Sequence, residues 1–126
     1  MLVRGIRGAT TVASNTREEI LAAARELLSA IVEANAVPHE HVASIIFTTT
    51  PDLNAEFPAV AARELGWTDV ALECLHEMNV PGSLPRCLRI LMHVNTDRSA
   101  AEIKHIYLHG ARVLRRDLAE QTEVSP

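Results

Sequence analysis

From Leu2 to Val12 the chain reads LVRGIRGATTV, a run rich in β-branched residues that predicts a strand. Gly5 and Gly8 inside it predict a bend or a place where another backbone comes close. Side chains alternate along a strand, so Arg4 and Arg7 fall on opposite faces. The clearest periodicity comes next. Ile20, Ala24, Leu27 and Ile31, flanked by Leu21, Leu28 and Val32, recur at helical spacing, with Thr16 and Glu19 forming a capping box ahead of them. These signals predict a helix over 17–34, stopped by Asn35 and Pro38. The run ASIIFTTT, 43–50, predicts a strand that ends at Pro51 and Asp52.

A second helix is expected next, with Pro58 in its first turn and Gly66 just past its end. Residues 70–74 read as a strand, and HEMNVPGSLP as a loop. Residues 87–94 read as a buried strand in which Arg89 is the odd charge. Ser99 with Glu102 makes another capping box that opens a brief helix, and a strand at 105–108 and an extended stretch at 112–115 follow. The order β-α-β-α-β-β-α-β predicts an α+β domain close to α/β, a mixed five-stranded sheet with helices packed on one face. Open sheet edges make an oligomer the expected state. The polar AEQTEVSP reads as a flexible tail over 119–126, which leaves a single domain over 1–118.

No stretch approaches the roughly 20 apolar residues of a membrane helix, and MLVRGIRGATTV lacks the zones of a signal peptide. A cytoplasmic protein without a membrane partner is expected. A net charge of −4 and only four aromatics, Phe47, Phe57, Trp67 and Tyr107, argue against a nucleic-acid surface. The basic residues are uneven in kind: Arg supplies all but Lys104, and its planar fork grips carboxylates in two places. Compositional bias explains that equally well, so position has to decide.

The chain has no GxSxG elbow, Walker loop, GxGxxG or HExxH, and His39, His41, His76, His93, His105 and His109 show no ligand grouping. No metal and no cofactor is expected. His39 and His41 are expected in solvent at a helix start. Cys74 and Cys87 read as free thiols, and a Cys74–His76 pair two residues apart on a strand is not by itself a nucleophile geometry. What remains is Arg7, Arg63, Arg89 and Arg115 on elements that can converge, with Glu77 in a loop and Tyr107 on a strand. An arginine in the apolar run 87–94 is costly to bury without an anion, so either Glu77 or an anionic ligand must answer Arg89. The residues alone leave both open.

Five segments carry a resemblance that bears on this choice. RGIRGATTV (4–12), TPDLNAEFPA with AARELGW (50–59 and 61–67), CLHEM (74–78), PRCLRILMHVNTD (85–97) and HIYL with VLRRDL (105–108 and 113–118) occur in the order of the small trimeric class of chorismate mutase. The chain resembles that class, not the all-helical one. The resemblance implies an isomerase converting chorismate to prephenate, on the route to phenylalanine and tyrosine, by a Claisen rearrangement. It also implies a homotrimer with a barrel-like core and active sites between subunits. A pericyclic step needs no proton transfer and no covalent intermediate, which fits the missing motifs.

By matching positions, the resemblance makes Arg89 the cation at the breaking ether oxygen and Glu77 the acceptor of the ring hydroxyl. Arg7 would pair with a substrate carboxylate, and Tyr107 would add a contact to one. Phe57, Ala59, Leu72 and Leu114 would form apolar walls, with Cys74 and Glu73 lining the pocket and Arg63 and Arg115 at its mouth. Val60 stands where the class often has lysine, Glu73 where it commonly has threonine, and Arg116 where proline is common; the first two weaken the pocket's positive charge. Two other readings compete: a non-catalytic trimeric binder of a carboxylated metabolite, and an imine deaminase-like trimer of similar shape.

Overall fold

The computed structural model describes residues 1–114, and these form five strands and two α-helices joined by short 3₁₀ turns. β1 spans Leu2–Thr11, α1 Arg17–Asn35, β2 Val42–Thr49, α2 Ala59–Glu64, β3 Ala71–His76, β4 Cys87–Thr96 and β5 Ile106–Tyr107. The sheet order is β3-β2-β4-β1-β5, with β4 antiparallel to both β1 and β2 and with β3 and β5 parallel to their neighbours. Parallel neighbours need a crossover, which α2 supplies between β2 and β3.

α1 begins where Thr16 Oγ1 accepts from the Glu19 N–H at 3.2 Å, satisfying one of the helix's free amides. It buries Ile20, Leu21, Ala24, Leu27, Leu28 and Ile31 against the sheet. Gly8 makes the approach possible: a Cβ there would lie 2.7 Å from Ile31 Cδ1 and 3.1 Å from the carbonyl oxygen of Ile106. The helix ends differently from the expected stop. Asn35 is its last helical residue, fully engaged, donating to the Ile31 and Lys104 carbonyls and accepting from the Lys104 N–H. Ala36 takes the left-handed position at φ 47° instead.

Alternation along the strands divides the sheet into two faces. Leu88, Ile90, Met92 and Val94 of β4 face the helices and are buried with Ile6, Ile45 and Phe47. Arg89, Leu91 and His93 face the other way, on the side away from α1 and α2, where the 3₁₀ turn at His109–Val113 covers only the Ala9–Cys87–Tyr107 corner among the described residues, so the strand expected to be buried throughout is buried mainly on one face. Val3 and Leu75, more than half exposed, share this open face with Ile46 and Leu91.

Several expectations need correction. The stretch expected to be extended at 112–115 is a 3₁₀ turn, His109–Val113, as far as it is described; Arg115 and the tail over 119–126 lie outside the described residues. The turn lies against β1, with the Gly110 N–H bonded to Thr11 Oγ1. His39 is not simply in solvent. Its ring stacks on Trp67 at 4.2 Å and its Nε2 lies 2.7 Å from Asp69 Oδ1.

Candidate active site

Strand register lines up one row across the open face: Leu75 on β3, Thr48 on β2, Arg89 on β4, Ala9 on β1 and Tyr107 on β5. Neighbouring strands sit about 4.8 Å apart, so Arg89 and Tyr107 are separated by roughly two strand spacings with only an alanine methyl between them. Arg7 stands on the same face, two residues along β1 from Ala9. Glu77 enters from the end of β3, where its N–H donates to the Thr49 carbonyl at 2.9 Å. Its Oε2 accepts from Arg89 Nε at 3.1 Å and from Thr48 Oγ1 at 3.2 Å.

The structure gives Arg89 its carboxylate partner. The ion pair to Glu77 is formed, yet the Arg89 side chain remains 41% exposed while that of Glu77 is 17% exposed. A cation held by one carboxylate and open on one side can still meet an incoming anion. Arg7 is exposed and forms no ion pair among the described residues. Tyr107 is buried with Ala9, Cys87 and Ala111, and Leu84 and Leu114 pack against them, so its ring forms part of a small core beside the arginines.

The remaining candidates stand elsewhere. Ala59 is buried in the first turn of α2, Arg63 is exposed on the same helix, and Leu72 and Cys74 of β3 turn toward the helix side. Glu73 points the opposite way and is exposed. Phe57, 67% exposed, lines a cavity of about 300 Å³ with Leu53, Pro58, Cys74 and His76. In one chain, then, Arg7, Glu77, Arg89, Tyr107 and Leu114 form one group, and Phe57, Ala59, Arg63, Leu72 and Cys74 a second group beside the β3 edge.

The loop that presents Phe57 is tied to the start of α1. Asn15 Oδ1 accepts from the N–H groups of Asn54 and Ala55, both at 3.0 Å, and Arg17 Nε meets Glu56 Oε1 at 2.8 Å. Glu56 Oε2 accepts from the Phe57 N–H at 2.9 Å. That backbone bond, aided by Arg17, holds the Glu56 carboxyl below its ordinary value of 4.5. The folded form therefore binds protons less readily than the unfolded chain. The tether is fully present above pH 4.5 and is lost as pH falls through the lower folded value. Thermal melts of the wild type and Glu56→Gln should accordingly converge as pH drops below 4.5 and separate above it; a constant gap would refute the tether.

Burial pushes the Cys87 thiol up to about 11 and raises that of Cys74 as well, which keeps both protonated near neutrality. Cys74 and His76 lie two residues apart on one strand face, and His76 Nε2 is placed 3.3 Å from the Leu53 carbonyl oxygen. Among the described residues no group of three His, Cys, Asp or Glu side chains has the spacing to hold a metal, and no helix is long and apolar enough to cross a membrane.

Two supports of the site leave no local signal in the sequence. Thr48 was one apolar-strand residue among several, and only register sets it opposite Arg89. Asn15 and Arg17 read as ordinary positions around a helix start, and their partners lie 39 residues or more away.

The fold and this site define a class: a small α+β protein with two arginines and a carboxylate on the sheet face away from its two helices. The sequence model of the family described as chorismate mutase type I matches residues 3–118. The chain is 48% identical over 120 residues to chorismate mutase AroH of Bacillus subtilis (strain 168), covering 94% of each. It is 49% identical over 118 residues to chorismate mutase AroH of Thermus thermophilus, covering 93% of this chain and 97% of that protein. A solved chorismate mutase from Clostridium thermocellum superposes with a TM-score of 0.86 at 54% identity, over 87% of this chain and 98% of that one. The chain belongs to the chorismate mutase type I family.

Proposed function

We propose that this protein converts chorismate to prephenate, and that it does so at sites built between the subunits of a homotrimer. The observation that carries the reading is the Arg89–Glu77 pair on the open face, with Arg7 on the neighbouring strand. The reaction breaks one ether C–O bond and forms one C–C bond within a single molecule, with no proton moved and no electron lost. Negative charge grows on the ether oxygen as the bond opens. A cation already fixed beside that oxygen stabilises the transition state more than the substrate and needs no reorganisation to do so.

In this reading Arg89 is that cation and Glu77 accepts the substrate's ring hydroxyl. Arg7 holds a carboxylate, with Tyr107 contributing a further contact. Phe57, Ala59, Leu72, Cys74 and Leu114 form walls, while Arg63 and Arg115 draw the dianion inward. Glu73 and Val60 reduce the positive charge of the rim.

Two structural facts support sites between subunits. The cavity that Phe57 and Cys74 line beside β3 is lined by none of Arg7, Arg89 and Tyr107, and no α-helix among the described residues covers the apolar face that carries Val3, Ile46, Leu75 and Leu91. A symmetric trimer with its sheets turned inward would bury Val3, Ile46, Leu75 and Leu91 and bring one group of each chain to the other group of its neighbour. The reading also takes 1–118 as one catalytic domain and places the enzyme in the cytoplasm, a compartment in keeping with two free thiols. Neither the binder nor the deaminase-like reading gains support from the relatives, which are named as chorismate mutases. Incubation of the purified protein with chorismate should abolish the substrate's diene absorbance at an enzymatic rate. No acceleration by a folded trimer would overturn the proposal.

A further inference from the structure

Three contacts hold Glu77: its N–H to the Thr49 carbonyl, and its Oε2 to Arg89 Nε and to Thr48 Oγ1. Both side-chain donors converge on one oxygen. A carboxylate's terminal torsion is broad and roughly two-fold, so a single donor does not determine which oxygen faces where. An unrestrained pair of guanidinium and carboxylate also tends to close into two parallel hydrogen bonds. That closure would consume both oxygens of Glu77 and turn the arginine fork away from any ligand.

Thr48 stands where it can prevent this. It is half-buried on β2, directly across from Arg89 on β4, and its hydroxyl reaches the oxygen that Arg89 Nε already uses. We propose that Thr48 is a positioning residue: its hydroxyl keeps Oε2 turned toward the sheet, so that Oε1 is presented to the substrate and Arg89 stays in a one-point contact. The proposal rests on the chorismate reading above, with Thr48 acting through Glu77 and touching no reacting atom.

Thr48→Val keeps the β-branched shape and removes only the donor. We expect kcat for chorismate to fall about tenfold, the scale of one hydrogen bond to a charged group, with KM changed less than about twofold and melting temperature unchanged. Thr48→Ser should restore most of the rate. In a Glu77→Ala background, Thr48→Val should add less than about a twofold loss, because the carboxylate it orients is already gone. A wild-type rate in Thr48→Val, failure of serine to rescue, or an equal penalty in both backgrounds would each overturn the assignment. The Arg89 Nε–H resonance, followed by ¹⁵N NMR, gives a readout free of turnover: it should shift in Thr48→Val and return in Thr48→Ser. If the wild type shows no turnover, the chorismate reading fails, and this resonance alone decides whether Thr48 sets the pair.

Discussion

Arg89→Ala is expected to lower turnover of chorismate by at least about 100-fold, the scale of removing one preorganised transition-state donor, while the protein stays folded. The structure separates the two effects. Arg89 faces the open side of β4 and is 41% exposed, so truncation leaves no cavity in the helix-side core. Its ion pair with Glu77 is partly solvated, and pairs of that kind contribute about 0–1 kcal/mol. Melting temperature should therefore move little, while kcat falls. Arg89→Lys keeps the charge but loses the planar fork, and should recover only part of the rate. Chorismate absorbance gives the rates and a thermal melt gives the stability. If Arg89→Ala instead unfolds the protein and leaves the residual rate intact, the Glu77 pair is a structural clamp.

The second large effect is rescue by mixing. Phe57→Asp places a charge in the cavity wall beside β3, and Phe57 is exposed enough that folding should tolerate it. Alone, Phe57→Asp and Arg89→Ala should each be nearly inactive. If each site draws Arg89 from one chain and Phe57 from its neighbour, trimers assembled randomly from equal amounts contain about one quarter intact sites. Co-refolded mixtures should thus regain activity far above either parent. A site contained within a single chain gives no rescue, since every copy then carries one lesion. Gel filtration of the mixtures verifies that the trimer has formed.

Much of the fold could be read along the chain because its signals are local. The period of α1, its Thr16 cap and the β-branched runs of β1 and β2 each depend on residues within a few positions of one another. The 3₁₀ turn at His109–Val113 was not legible as such. Its apolar Val113 and Leu114 suit either an extended or a helical path, and the bond from Gly110 to Thr11 that anchors it joins positions 99 residues apart. His39 escaped for the same reason: its partners Trp67 and Asp69 come from beyond β2 and α2.

For the site the division is sharper. The chemical inventory is legible along the chain: an arginine where an apolar strand should have none, Glu77 in a nearby loop, and motif order that marks the family. It also left Arg89 with two possible partners. Tertiary structure alone sets Arg89 on the sheet face away from α1 and α2 and brings Glu77 and Thr48 together beside it. The physical reason is register. Which residues of β2, β4, β1 and β5 share a row depends on hydrogen-bond pairing between segments tens of residues apart, and a shift of one residue in any strand would turn its side chains to the other face.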